Sequence, residues 1–224
     1  MLLFEPYCNQ MENWPKSGLH ILAQYDSDSI VVYQAYRPSI GHFASTHGYF
    51  GGEFSYSRMS WIKPNFLWMM NRSGWGNKPG QEITLAIRLR RAFFDDLLAQ
   101  SVESLYNPIQ YASLSEWKRA LITSSVRRQW DPDHSPGGTA LPRRAIQLGL
   151  RGRVLKDYGR RQILEITDLS SFVAEQRENR ASEKLGKLIT PLERVYLPAD
   201  PSIQSRLQLS DINHSDEANN AQPE

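Results

Sequence analysis

The amino-acid sequence predicts an α+β fold, a mixed and mainly antiparallel sheet of about six strands with flanking helices. Three observations carry this. "EITLAIRLR" alternates Ile83, Leu85, Ile87 and Leu89 with Glu82, Thr84, Ala86, Arg88 and Arg90, the period of a strand with one core face and one polar face. "SIVVYQAY", Ser29 to Tyr36, is rich in β-branched and aromatic residues and lies between turn-forming "DSDS" and "RPS". Helical stretches fall between such runs without the regular rhythm of βαβ units.

In chain order, Pro38 is expected to stop the first strand, and residues 41–52, broken by four glycines, to form no regular element. "EFSYSRMSW" offers a second strand with Phe54, Tyr56, Arg58 and Ser60 on one face. "KPNFLWMMNRSGWG" predicts a short helix, with Pro64 in its first turn, Phe66 and Met70 four apart, and Gly74 and Gly76 as stops. After the strand at 82–90 a helix is expected over "AFFDDLLAQSVES", then another from Ser113, where Glu116 three residues on completes a capping-box pattern. "WDPDHSPGG" reads as loop because prolines and glycines interrupt pairing. "RRAIQLGLR" and "RQILEI" read as strands, "TDLSSFVAEQRENRASEKL" as a helix capped by Asp168, and "LERVYLP" as a last strand.

Hydrophobic residues make up 40% of the 224 and charged residues 22%, a globular composition that fits one domain over 1–200. The polar stretch 201–224, poor in apolar residues and net acidic, is expected to be a disordered tail. The lone Cys8 excludes an internal disulfide and a cysteine-rich zinc cluster, and no apolar run approaches the roughly 18 residues of a membrane span. A cytoplasmic protein without membrane contact is the expectation. The net charge of +2 is small, but residues 127–161 hold nine Lys or Arg against three Asp. Arg143, Arg144, Arg151 and Arg153, with Arg160 and Arg161, on adjacent strands, would make a surface for a nucleotide or nucleic acid.

One run stands out. "RMSWIKPNFLWMMNRSGWG" sets three tryptophans, a phenylalanine and three methionines among Arg58, Lys63 and Arg72. It suits a core helix with outward-reaching cations, and equally a site where a base stacks on an aromatic ring beside a bound phosphate. Asp131, Asp133 and His134 fall within four positions, with His42 and His47 as distant nitrogen donors, but no metal-ligand spacing accompanies them and no metal is expected. A metal-dependent hydrolase on Asp131, Asp133, His134 and His42 ranks last. Glu82, opening a strand after the glycine-bearing "GWGNKPG" and sharing a face with Arg88, is the candidate acid.

Across residues 29 to 197 the chain resembles the family called domain of unknown function 4291, in "VVYQAYRPSIG", "RMSWIKPNFLWMMNRSGWG", "QEITLAIRL" and "WDPDHSPGGTALPRRAIQLGLRG". A second resemblance is to ADP-ribosyltransferases, whose order is a strand ending in Arg, a Ser-bearing strand and a Glu at a strand start. That resemblance implies NAD as cofactor, Arg37 holding its phosphates, Ser60 bracing the nicotinamide pocket, Glu82 stabilising the oxocarbenium-like centre, and Tyr36, Tyr56 or Trp61 stacking the nicotinamide, with Arg58 and Lys63 nearby. Gln147 is the alternative occupant of the acidic strand position. Two expectations follow: an NAD-dependent ADP-ribosyltransferase-like domain acting on a nucleic acid or nucleotide, or a non-catalytic RNA- or nucleotide-binding module using tryptophan stacking and arginine contacts.

Overall fold

The two stretches richest in β-branched residues pair with each other over their full length, Ser29 opposite Arg90 and Tyr36 opposite Ile83. The computed structural model describes residues 1–210. Along the chain the strands are β1 (Phe4–Pro6), β2 (Gly18–Leu19), β3 (Ile21–Ala23), β4 (Ser29–Tyr36), β5 (Ser60–Ile62), β6 (Ile83–Arg90), β7 (Val102–Glu103), β8 (Val126–His134), β9 (Ala140–Leu150), β10 (Ile163–Asp168), β11 (Ile189–Pro191) and β12 (Arg194–Tyr196). The helices are α1 (Tyr7–Asn13), α2 (Pro38–His47), α3 (Phe66–Ser73), α4 (Arg91–Gln100), α5 (Leu114–Thr123), α6 (Gly152–Asp157), α7 (Ser170–Arg177) and α8 (Pro201–Leu207). The class is α+β, with mostly antiparallel pairing.

A three-stranded sheet, β10-β6-β4, stands at the centre, and a five-stranded sheet runs β2-β9-β8-β7 with β5 sharing the β2 edge of β9. A backbone bridge ties the two sheets together. Tyr33 N–H donates to the Lys63 carbonyl at 2.6 Å, and Lys63 N–H donates back to the Tyr33 carbonyl at 3.2 Å. Both faces of the central sheet are covered. Ile30, Val32, Leu85, Ile87 and Leu89 pack with Phe94 and Leu98 of α4 and Leu148 of β9, while Val31, Tyr33 and Ala86 pack with Phe66 and Met70 of α3 and Val173 of α7. This corrects the expectation of one polar face on β6: Thr84 and Ala86 are buried because α3 and α7 close the second side.

Elements differ from the sequence expectation where punctuation residues have a second use. Pro38 ends β4 but also takes the first position of α2, where its missing N–H costs nothing, so the glycine-broken stretch starts as a ten-residue helix. Of "EFSYSRMSW" only Ser60 and Trp61 lie in a strand, β5; Phe54 instead joins an aromatic cluster with Phe50 and Tyr36. "WDPDH" completes β8 instead of forming a loop, because Pro132 sits where the register with β9 shifts before His134. The expected helix from Asp168 is shorter, and α8, with Ile203 and Leu207 buried, occupies the start of the expected disordered tail. Residues 211–224 of that tail lie outside the described residues.

The aromatic run folds as its punctuation implies. Asn65 caps α3, its Oδ1 accepting from Trp68 N–H at 2.6 Å, and Gly74 stops it in the left-handed region at φ 59°. Glu193 Oε1 also accepts from Phe66 N–H at 2.7 Å, and burial pushes this carboxyl well above the usual carboxylate range. With Phe66 and Met70 fully buried, each contributing about 1.5–3 kcal/mol, the helix is anchored on the central sheet. Its N-terminal neighbour Lys63 is thereby fixed between the two sheets.

Candidate functional site

Alternation along β5 sets up the site. Ile62 enters the core, so Trp61 and Lys63 project to the opposite side. There they line a cleft of about 540 Å³ together with Arg58, Ser60 and Met69, and with Arg72 from the last turn of α3. Four glutamines also line it: Gln34 of β4, Gln129 of β8, Gln147 of β9 and Gln81 just before β6. Gly149 shapes one wall. A Cβ at that position would lie 2.7 Å from Met59 Sδ and 2.9 Å from the Trp61 ring, so the glycine lets Trp61 lie flat against β9.

The polar groups of the cleft fall into two sets. The first is fully engaged: Gln34 Nε2 donates to Ser60 Oγ at 2.8 Å and to the Trp61 carbonyl at 3.1 Å, Tyr158 donates to Gln34 Oε1 at 2.6 Å, and the Tyr36 and Ser60 hydroxyls share a 2.7 Å bond. Asp131 belongs here too, because Gln129 and Gln147 each donate to one of its oxygens, at 2.8 and 2.7 Å. The second set comprises Arg58, Lys63 and Arg72, and none of the three has an ion-pair or side-chain hydrogen-bond partner among the described residues. Arg58 and Arg72 reach solvent, but Lys63 is only 5% exposed. Burial above all, and then the Arg72 charge, lower the Lys63 amine to a pKa of about 8 against the opposing effect of Asp131.

A second concavity, a groove of about 1050 Å³, lies between α4 and the α6 segment. It carries Arg90, Arg153, Lys156, Arg160 and Arg161 against Asp96 and Asp157. The chain leaves α6 through a π-helical turn, Tyr158–Gln162. This turn holds the Arg160 guanidinium 5.3 Å from the Tyr49 ring centre and 5.4 Å from that of Tyr56, with Nε donating to Tyr56 Oη at 3.3 Å.

The residues singled out in the sequence divide accordingly. Tyr36, Arg58, Ser60, Trp61, Lys63 and Gln147 gather at the cleft, and Tyr56 and Arg153 at the groove. Arg37 and Glu82 line neither. Arg37 is turned toward Glu53, 2.6 Å away at the start of α2, and Glu82 Oε1 folds back onto Gly80 N–H at 2.8 Å while Oε2 is buried without a partner. Ser60 lines the cleft, while Arg37 and Glu82 directly follow and precede Tyr36 and Ile83, which face each other at the end of the β4–β6 ladder. The expected row of basic residues is corrected. Arg143 is buried against Asp133, Arg151 donates to the carbonyls that end α5, and Arg144 is exposed beside Leu19. Of the metal-donor group, Asp133 is held by Arg143 and His134 stacks on Trp68, and no cluster of three His, Cys, Asp or Glu forms among the described residues.

Sequence reasoning missed Gln34, Gln81, Gln129 and Arg90 as site residues, while Arg160 and Arg161 of the expected basic surface do lie at the groove, beside Lys156. A signal existed for Gln34, a lone amide inside the buried run "SIVVYQAY". No helix among the described residues is long and apolar enough to cross a membrane. A search of curated proteins finds no match to the chain. The family profile described as Domain of unknown function (DUF4291) matches residues 20–196, a span that contains both the cleft and the groove, and the chain belongs to that family.

Proposed function

We propose that the cleft around Lys63 binds a nucleotide, with its phosphates on Arg58, Lys63 and Arg72 and its base against Trp61. The observation that carries this reading is a buried lysine without an anionic partner, flanked by two unpaired arginines. Burying a cation in protein costs free energy that a partner normally offsets. A bound phosphate supplies that partner, and guanidinium groups match its oxygens by charge-assisted hydrogen bonds. Stacking on an aromatic ring adds about 1–3 kcal/mol per base. Gln34, Gln129 and Gln147 hold the walls polar without competing charge.

Nucleic acid is the second reading, and the groove supports it: five cations beside Tyr56 and the Arg160 stack make a path for a phosphate backbone. NAD remains among the ligands of the cleft, since it carries the same adenosine pyrophosphate. The transferase assignment needs Glu82 to act on it, and Glu82 is bonded to Gly80 outside the cleft. The test is calorimetric titration of ATP, GTP, AMP and NAD, alongside a short single-stranded RNA at two salt concentrations. Nucleotide binding weakened at least tenfold in Arg72→Ala supports the cleft. RNA binding that falls steeply with salt and is unaffected by Arg72→Ala would assign the function to the groove. Turnover of NAD abolished by Glu82→Gln would restore the transferase reading.

A further inference from the structure

Lysines that only neutralise phosphate are normally hydrated point charges on flexible stems. Lys63 differs on three counts. Its backbone is fastened in both directions to Tyr33 at the seam of the two sheets, so its stem leaves from a fixed point. Its side chain is 5% exposed, yet it lines an open cleft. The nearby carboxylate, Asp131, accepts from Gln129 and Gln147 and forms no ion pair with the amine.

We infer that Lys63 is a nucleophile, attacking the α-phosphorus of a nucleotide bound in the cleft to form a lysine–nucleoside monophosphate adduct. This deepens the nucleotide reading and rests on it. The balance is simple. The Nζ lone pair forms the N–P bond, and the phosphoanhydride P–O bond breaks. Its electron pair leaves with pyrophosphate, or with nicotinamide mononucleotide where NAD is the donor, and one Nζ proton passes to solvent at the cleft mouth. No oxidant or reductant enters.

Each neighbour has a part in this step. Arg58 and Arg72 stand at the same cleft with nothing to neutralise, and are placed to take the charge that accumulates on the departing phosphate. Arg72 also disfavours the protonated amine, and with burial it brings the Lys63 pKa to about 8. At pH 7 about one molecule in ten then carries the free amine, against far fewer than one in a thousand for an exposed lysine. Trp61 would hold the base, and the fixed stem of Lys63 keeps the amine in one place relative to it.

The test uses the full chain incubated separately with each of the four nucleoside triphosphates and with NAD, with and without Mg²⁺, then denatured and weighed by intact-mass spectrometry, with binding of each probe measured by calorimetry on the same sample. The inference expects a mass gain of one nucleoside monophosphate, mapped to Lys63 by peptide sequencing and labile in acid. Formation should accelerate as pH rises toward 8 and be absent in Lys63→Arg. The triphosphate and NAD arms identify the donor. Binding without an adduct in any arm overturns the nucleophile and leaves the cleft as a binding site. An adduct on a residue other than Lys63 overturns it as well, and absence of binding overturns the nucleotide reading itself. Mapping is done on the unaltered chain, so a variant that fails to fold does not obscure the result.

Discussion

Arg143 and Lys63 are hidden to the same degree, 4% and 5% exposed, and only Arg143 has a protein partner among the described residues. Arg143 donates to Asp133 Oδ2 through Nε at 2.8 Å and through Nη2 at 2.5 Å, and to the Pro15 carbonyl at 2.6 Å, while its guanidinium lies 5.3 Å from the Trp14 ring centre. Lys63 has an apolar and amide-lined cleft, a neighbouring arginine, and no acceptor for its protons among the described residues. Arg128, fully buried, is bonded through its terminal nitrogens to Ser101, Gln110 and Glu103, although its Nε has no partner. The difference separates cations that hold the fold from one whose partner arrives from outside.

That contrast breaks most visibly at Arg143. Arg143→Ala leaves Asp133 buried and uncompensated, and should cost about 3–5 kcal/mol of stability in denaturant unfolding. A change below 1 kcal/mol would mean that the ion pair is ornamental. Lys63→Met should do the reverse. An amine lowered from 10.5 to about 8 carries a penalty of about 3 kcal/mol below pH 8, which fades as pH rises from 8 to 10.5. The variant should therefore unfold at higher denaturant at pH 7, with its advantage shrinking across that window, while nucleotide binding is lost. Equal stability of the two proteins at pH 7 and pH 10.5 would contradict the buried, unpaired amine.

Smaller effects sharpen the picture. Gly149→Ala pushes a methyl into Met59 and Trp61 and should cost about 1–3 kcal/mol, with weaker nucleotide binding because Trp61 moves. Tryptophan fluorescence and calorimetry together would reveal a case in which stability falls and binding does not. Arg37→Ala removes only an exposed pair with Glu53, so stability should change by about 0–1 kcal/mol and nucleotide binding not at all. A tenfold loss of NAD binding in that variant would return Arg37 to the site.

Some of this was legible before any coordinates. β4, β6, β9 and β10 stood out because β-branched and alternating runs have few alternatives to strand. α3 was legible because Gly74 stops it and Phe66 and Met70 share a face. Pro38 and Pro132 misled, since proline both ends one element and opens another, and is accommodated in a strand where the register shifts. Half of the cleft was visible in "RMSWIKPNFLWMMNRSGWG", where Arg58, Trp61, Lys63 and Arg72 are close in sequence. The other half was not. Gln34 and Gln129 come from β4 and β8, and only the pairing of distant strands brings them, with the already noted Gln147 of β9, to Lys63. The contacts of Arg37 with Glu53 and of Glu82 with Gly80 N–H lie at strand ends and leave no periodic trace in the sequence.

The most direct test of the central claim is calorimetric titration of ATP into the unaltered chain and into Lys63→Met at pH 7. We expect one site per chain in the unaltered protein and at least a tenfold weaker affinity in the variant, with the variant folded and more stable. Equal affinity in both would show that the phosphates bind without Lys63, and would contradict the assignment of the cleft.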